Sequence, residues 1–175
     1  MRINCISNLK YIGLACRVWE GDNGDKYPMQ VSVTNGGTME LIARGNVSAV
    51  FQAMSNELST PKVLICSQDE KSILAADFGK NFNNSNISYF VGIDVTNDMN
   101  PQMLLSGDDN FDIGGVQVKS GLLEVSSNTP ISWSAARHHF AGNIGMADGS
   151  VQEVSQDGLS HAFQQSGVTN RLAIP

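Results

Sequence analysis

Few side chains in this sequence have the type and spacing to do chemistry. His138 and His139 follow Arg137, and Asp148 stands ten residues beyond His138. A histidine beside a carboxylate is the smallest unit of general-base catalysis, and it also offers two metal ligands. An extended chain would hold His138 and Asp148 roughly 33 Å apart, so they meet only if Phe140-Ala141-Gly142 folds back. The competing reading is structural and is the one expected. In it His138 bonds to backbone at the entrance to a strand, and Asp148-Gly149 forms a hairpin turn, which needs no catalytic role.

Asp108, Asp109 and Asp112 place hard oxygen ligands close together, as a calcium loop requires, so they are the candidate metal ligands. Their order lacks the alternation, the central glycine and the distant glutamate of an EF-hand, and a solvated acidic turn is the competing reading. Asp22, Asn23 and Asp25 fail in the same way. No GxSxG elbow is present, and Gly36-Gly37 and Gly114-Gly115 lack a phosphate-binding context. No nucleophile has an evident base. The expectation is a protein with no catalytic residues and, calcium aside, no cofactor.

The sequence has three cysteines, Cys5, Cys16 and Cys66. On one helix Cys5 and Cys16 stand roughly 16 Å apart and cannot bridge. Cys66 pairs with one of them across the core, or all three are buried thiols. Without CxxC or HExxH, a structural zinc site is not expected.

With 175 residues, 41% apolar and only 16% charged, the chain suits one domain with a proper core and a surface more polar than ionic. The net charge of −6 comes with no Lys/Arg cluster, which argues against nucleic acid as a partner. No run of 18 apolar residues could span a bilayer.

The elements that must position these groups begin with Arg2 to Glu20. Cys5, Leu9, Ile12, Cys16 and Trp19 form one apolar stripe at helical spacing. Ile3, Ser7, Tyr11, Leu14 and Val18 form a second on the opposite side. A surface helix needs one apolar face, and this one has nearly two. One face belongs to its own domain; the other suits either a deep core or a neighbouring subunit.

Strands are expected at Tyr27–Val33, Lys62–Cys66, Ile87–Ile93 and Gln102–Leu105, with weaker signals at Val116–Leu123 and Ile131–Trp133. Asn46–Leu58 reads as a second helix capped by Asn46, Ser67–Glu70 as a short helix, and Gln156–Gln165 as a terminal one. Gly107 to Asn110 reads as a turn. Asn143–Val154 is a hairpin whose Asp148-Gly149 suits a two-residue type I′ turn pairing Met146 with Val151. Helix first, then short strands, predicts α+β with a small antiparallel sheet.

Two motifs together resemble a known family. CISNLKYIGLACRVWEGDNGDKYP is similar to the segment that follows the membrane helix in pilin-like, type II secretion pseudopilin-like proteins of planctomycete and verrucomicrobial type. RHHFAGNIGMADGSV resembles their C-terminal signature of His, nine residues and Asp-Gly, with His138, Asp148 and Gly149 in those positions. TPKVLICSQDE is similar to their Cys-Pro-x-Asp segment, with Ser67 in place of the proline. The resemblance implies a pilin-like fold. Residues 1–20 would be the C-terminal half of its N-terminal helix and residues 21–175 the globular head.

It further implies a leader, a processing site and about 20 apolar residues upstream of Met1. The protein would be anchored in the inner membrane, with its head in the periplasm or another extracytoplasmic space. Its partners would be copies of itself and other pseudopilin-like subunits, met through Ile3, Tyr11, Leu14 and Val18. A disulfide of Cys66 with Cys5 or Cys16 becomes expected in that oxidising compartment. The alternative function is an extracytoplasmic binding module for exported proteins or glycans, dependent on calcium.

Overall fold

In the computed structural model, which describes residues 2–96 and 100–175 apart from the side chain of Arg2, the opening stretch is one long helix, α1 (Arg2–Asp22). Met1 lies outside the described residues. Cys5, Leu9, Ile12, Cys16 and Trp19 are buried, as the first stripe predicts. The second stripe stays in solvent: Ile3 is 74% exposed, Tyr11 60%, Leu14 59% and Val18 50%. Among the described residues no helix is long and apolar enough to cross a membrane.

Two expected strands are instead 3-10 turns, and proline is the reason in both. Pro28–Gln30 is a 3-10 helix with Pro28 in its first turn, where a missing N–H costs nothing, and the Gln30 side chain accepts from the Tyr27 N–H at 3.0 Å. Pro61–Leu64 follows Thr60, whose hydroxyl accepts from the Lys62 N–H, so the apolar run Val63-Leu64 coils before Cys66. No helix forms at Ser67–Glu70, where Asp69 turns inward instead.

Short helices α2 (Met39–Ile42), α3 (Val47–Ala53) and α4 (Ser55–Leu58) pack between these turns. The Asn46 side chain caps α3 by accepting from the Ala49 N–H, as expected, but Met54 breaks the expected single helix in two. The polar loop before the first strand holds a 3-10 turn at Asn84–Asn86.

The strands follow as β1 (Tyr89–Gly92), β2 (Leu104–Asp108), β3 (Phe111–Ile113), β4 (Val116–Gln117), β5 (Gly121–Val125), β6 (Ile131–Trp133), β7 (Gly142–Met146) and β8 (Val151–Val154). The helix α5 (Gln156–Gln165) and the strand β9 (Asn170–Ile174) complete the order. They build a six-stranded antiparallel sheet in the order β5-β9-β1-β2-β7-β8 and a three-stranded antiparallel sheet β4-β3-β6. The fold is α+β with its N-terminal helix on an antiparallel sheet, larger than expected because β5 and β9 join it.

Alternation along the strands sorts the core into two layers. Tyr89, Val91, Leu105 and Ala173 face the buried stripe of α1. Phe90, Leu104, Leu172 and Ile174 face the other way, onto Leu159 and Phe163 of α5 and onto Phe111 and Trp133 of the smaller sheet. The rings of Phe111 and Trp133 stack with centroids 5.0 Å apart.

Two turns differ from expectation. Gly107 and Asp108 belong to β2, so the bend is confined to Asp109-Asn110. In the β7–β8 hairpin Gly145 pairs with Val151, and Met146 donates to Ser150 across a three-residue connection. Only Gly149 has positive φ, at 85°, so this is a turn closed by a left-handed glycine and not the two-residue type I′ form.

Candidate functional site

Four ligand-type side chains converge at one place, drawn from three features that the sequence suggested separately: the Cys66 pairing, His138 and the Asp108 loop. Cys5 comes from the first turns of α1, Cys66 from the stretch after the Pro61–Leu64 turn, Asp108 from the end of β2 and His138 from the loop before β7. All four are buried, and one ligand atom from each lies within 4.8 Å of every other. The sulfurs of Cys5 and Cys66 are 3.0 Å apart, Cys66 Sγ is 3.3 Å from His138 Nε2, and that same Nε2 is 3.5 Å from Asp108 Oδ2.

The loop that delivers His138 is held in an uncommon backbone. His138, His139 and Phe140 have φ of 52°, 51° and 59°, three consecutive left-handed residues, none of them glycine. Each such residue costs of order 1–3 kcal/mol, and it persists only where the surroundings over-determine it. Here they do. Asn110 Nδ2 reaches the carbonyls of Ser134, Arg137 and Ala141 at 3.3–3.4 Å. The buried Arg137 donates to the Ser88 carbonyl at 2.9 Å and pairs with Asp69 and Asp109. Beyond the loop, a Cβ on Gly142 would stand 2.4 Å from the Trp133 ring, so only glycine lets β7 begin there. The result aims His138 inward and leaves His139 and Phe140 in solvent.

Asp108 is fixed from the other side. Its Oδ2 accepts from the backbone N–H and the side-chain amide of Asn143, at 2.7 and 2.8 Å. Its Oδ1 is buried and has no hydrogen-bond partner among the described residues. Asn8 of α1 bonds both the Ile65 carbonyl and the Tyr89 hydroxyl at 3.1 Å, tying the helix to the segment that carries Cys66.

Electrostatics follow the geometry. The hydrogen bond to Asp108, helped by Cys66, raises the His138 pKa to about 9 against the opposing effect of burial. The contact between the two sulfurs lowers Cys5 and raises Cys66, because one S–H stabilises the other's thiolate. Cys16 sits apart from them, its thiol pushed up to about 12 by burial and by Glu20. Burial alone would raise Asp69, but Arg137 and hydrogen bonds from Ser72, Ser88 and Lys71 hold it below the usual carboxylate range.

The sequence-predicted residues are therefore redistributed. His138 is brought to Asp108. Asp148 is exposed in its turn, where it accepts from the Ser150 N–H at 2.8 Å, and hydrogen bonds from Ser150 hold its carboxyl low. That turn is tied to α1, since Arg17 donates to the Ala147 carbonyl at 2.7 Å. The three carboxylates of the candidate calcium loop are not gathered. Asp108 turns to Asn143, Asp109 to Arg137, and Asp112 lies within β3 opposite Gln117 and Ser132. Two strands run through what would have been the loop, and alternation sends neighbouring side chains apart.

Cysteine, histidine and aspartate in contact suggest a catalytic triad, but the geometry differs. A triad orients its base through the ring nitrogen opposite the nucleophile. Here the thiol and the carboxylate contact the same Nε2. A surface groove of about 780 Å³ is lined by Asp69, Asp109 and Arg137, and the four converging residues do not line it.

Asp108 was expected as a ligand but beside Asp109 and Asp112, and Asn143 and Asn110 were missed, because their partners are set by tertiary contacts between β2, β7 and the His138 loop and not by local spacing. No family model, curated protein or solved structure matches the chain.

Proposed function

We propose that the chain is the head and adjoining half-helix of a pilin-like structural subunit, non-enzymatic, which assembles with copies of itself through α1. The observation that carries this reading is the pair of faces on that helix. One is sealed against the sheet, while Ile3, Tyr11, Leu14 and Val18 stand in solvent on the other. The motif segments that carry the resemblance also meet in space, with Cys5, Cys66 and His138 in one cluster and the Asp-Gly turn bound to Arg17. The native protein would be anchored in the inner membrane by a segment upstream of Met1, with this portion outside the cytoplasm.

Magnitudes say how assembly would work. Fully burying an aliphatic side chain is worth about 1.5–3 kcal/mol, and these four are already partly covered, so together they offer roughly 4–8 kcal/mol. Association costs about 4–15 kcal/mol in lost freedom. The stripe alone is near break-even, and confinement in a membrane would have to tip the balance.

The test is photo-cross-linking in cells that express the full-length gene product, with the cross-linker at Tyr11 or Val18. Ladders of homo-oligomers are expected from these positions and none from Asp157 on α5. Confirmed membrane expression without cross-links at Tyr11 or Val18 would sink the reading.

A further inference from the structure

We propose that Cys5, Cys66, Asp108 and His138 form a binding site for one thiophilic divalent cation of the zinc class. Tetrahedral zinc, with bonds of about 2.3 Å to sulfur and about 2.0–2.1 Å to nitrogen or oxygen, sets its ligands about 3.3–3.8 Å apart. Three separations within the cluster are 3.0, 3.3 and 3.5 Å, with no pair of ligand atoms beyond 4.8 Å. Shifts of about 1 Å would seat the ion.

Three further observations point to a cation and not merely to packed polar groups. Asp108 Oδ1 is a buried acceptor with no donor among the described residues, an expense that proteins rarely leave uncompensated. Asp108 is oriented by both nitrogens of Asn143, the kind of outer support that holds ligating carboxylates in place. The backbone strain at His138–Phe140 is accepted in order to turn an imidazole toward two sulfurs.

The ligand set also suits the charge of such an ion. Ligation displaces the protons that the raised Cys66 thiol and His138 otherwise hold, leaving two thiolates, one carboxylate and a neutral imidazole around the ion. The buried guanidinium of Arg137 is already committed to Asp69 and Asp109. A divalent cation reduces the excess to one, and soft sulfur ligands select zinc over calcium or magnesium. All four positions are protein ligands in a closed core, the pattern of a structural site and not of a catalytic one. Such an ion would clamp the start of α1 to the sheet whether or not that helix assembles with others.

The experiment uses the whole chain, purified under reducing conditions without chelator. Native mass spectrometry is expected to find one zinc per chain. Cobalt(II) substitution is expected to give thiolate-to-metal charge transfer and tetrahedral ligand-field bands. Cys66→Ser and Asp108→Asn should each weaken zinc binding at least tenfold, whereas Cys16→Ser should leave stoichiometry and spectrum unchanged. Should the variants fail to fold, titration of the wild-type chain still decides. A folded, reduced chain that takes up neither zinc nor cobalt overturns the proposal. So does equal binding by a Cys5→Ser/Cys66→Ser double variant, or a Cys5–Cys66 disulfide that forms in air despite equimolar zinc.

Discussion

The two long helices, α1 and α5, cover opposite faces of one sheet, yet they are built on different plans. α5 buries Leu159, Ala162 and Phe163 and presents Gln156, Asp157, His161, Gln164 and Gln165 to solvent. It has one apolar face and uses it. α1 buries a comparable stripe and then exposes four more large apolar side chains on its far side. The layers beneath them differ too. Under α5 the core is hydrocarbon and aromatic, whereas under α1 it contains three thiols, a carboxylate and an imidazole. A helix that only had to cover a sheet would look like α5. The surplus on α1 is the feature on which the proposed assembly rests, and the polar cluster sits beneath its first turns.

The first way to break this comparison is to cut into both inner faces. Trp19→Ala and Phe163→Ala should each cost about 3–5 kcal/mol in urea unfolding, because each empties a sealed site. A markedly smaller loss at Trp19 would mean that α1 is not seated as described.

A second, smaller effect separates the two layers by pH. With zinc withheld, the His138 pKa is raised in the folded state, so its stabilisation is complete below about 6.5, the unfolded value, and is lost as pH rises through about 9. Thermal melting should fall by several degrees over that window and stay flat in His138→Gln. Amide exchange should quicken first in the opening turns of α1 and not in α5.

Third, Ser155 caps α5 by accepting from the Gly158 N–H, so Ser155→Ala should cost about 1 kcal/mol. α1 should show no matching sensitivity at Asn4, which is exposed. The smallest effect sharpens the contrast most. Leu14→Ser and Val18→Ser should change the unfolding free energy by no more than about 0.5 kcal/mol, while abolishing the cross-links expected at Tyr11. A loss comparable to that of Trp19→Ala would show that the outer stripe serves the fold and not a neighbour.

Much of this contrast was legible in the sequence, and the parts that were not share a cause. Both stripes of α1, the Asn46 cap, the bounds of α5 and the β7–β8 hairpin follow from local periodicity and turn chemistry, which act within a few residues. Tyr27–Val33 and Lys62–Cys66 read as strands from their β-forming side chains, but Pro28 and Pro61 start 3-10 turns there. The site was illegible for a different reason. Cys5 and Cys66 are 61 residues apart and Cys66 and His138 are 72, so no ligand spacing exists to be recognised. Asp148 drew attention by its regular distance from His138, while Asp108, the true neighbour, is supplied by a strand pairing.

The place of β9 bears on how the molecule is made. Asn170–Ile174 inserts between β1 and β5, pairing Gly92 with Leu172 and Leu123 with that same residue, so the largest sheet is joined by the last described segment of the sequence. During synthesis β1 and β5 must wait with open edges until that segment emerges. The six-stranded sheet therefore closes only after Asn170–Ile174 has been made, and chains stalled short of Asn170 should be the ones that quality-control proteases remove.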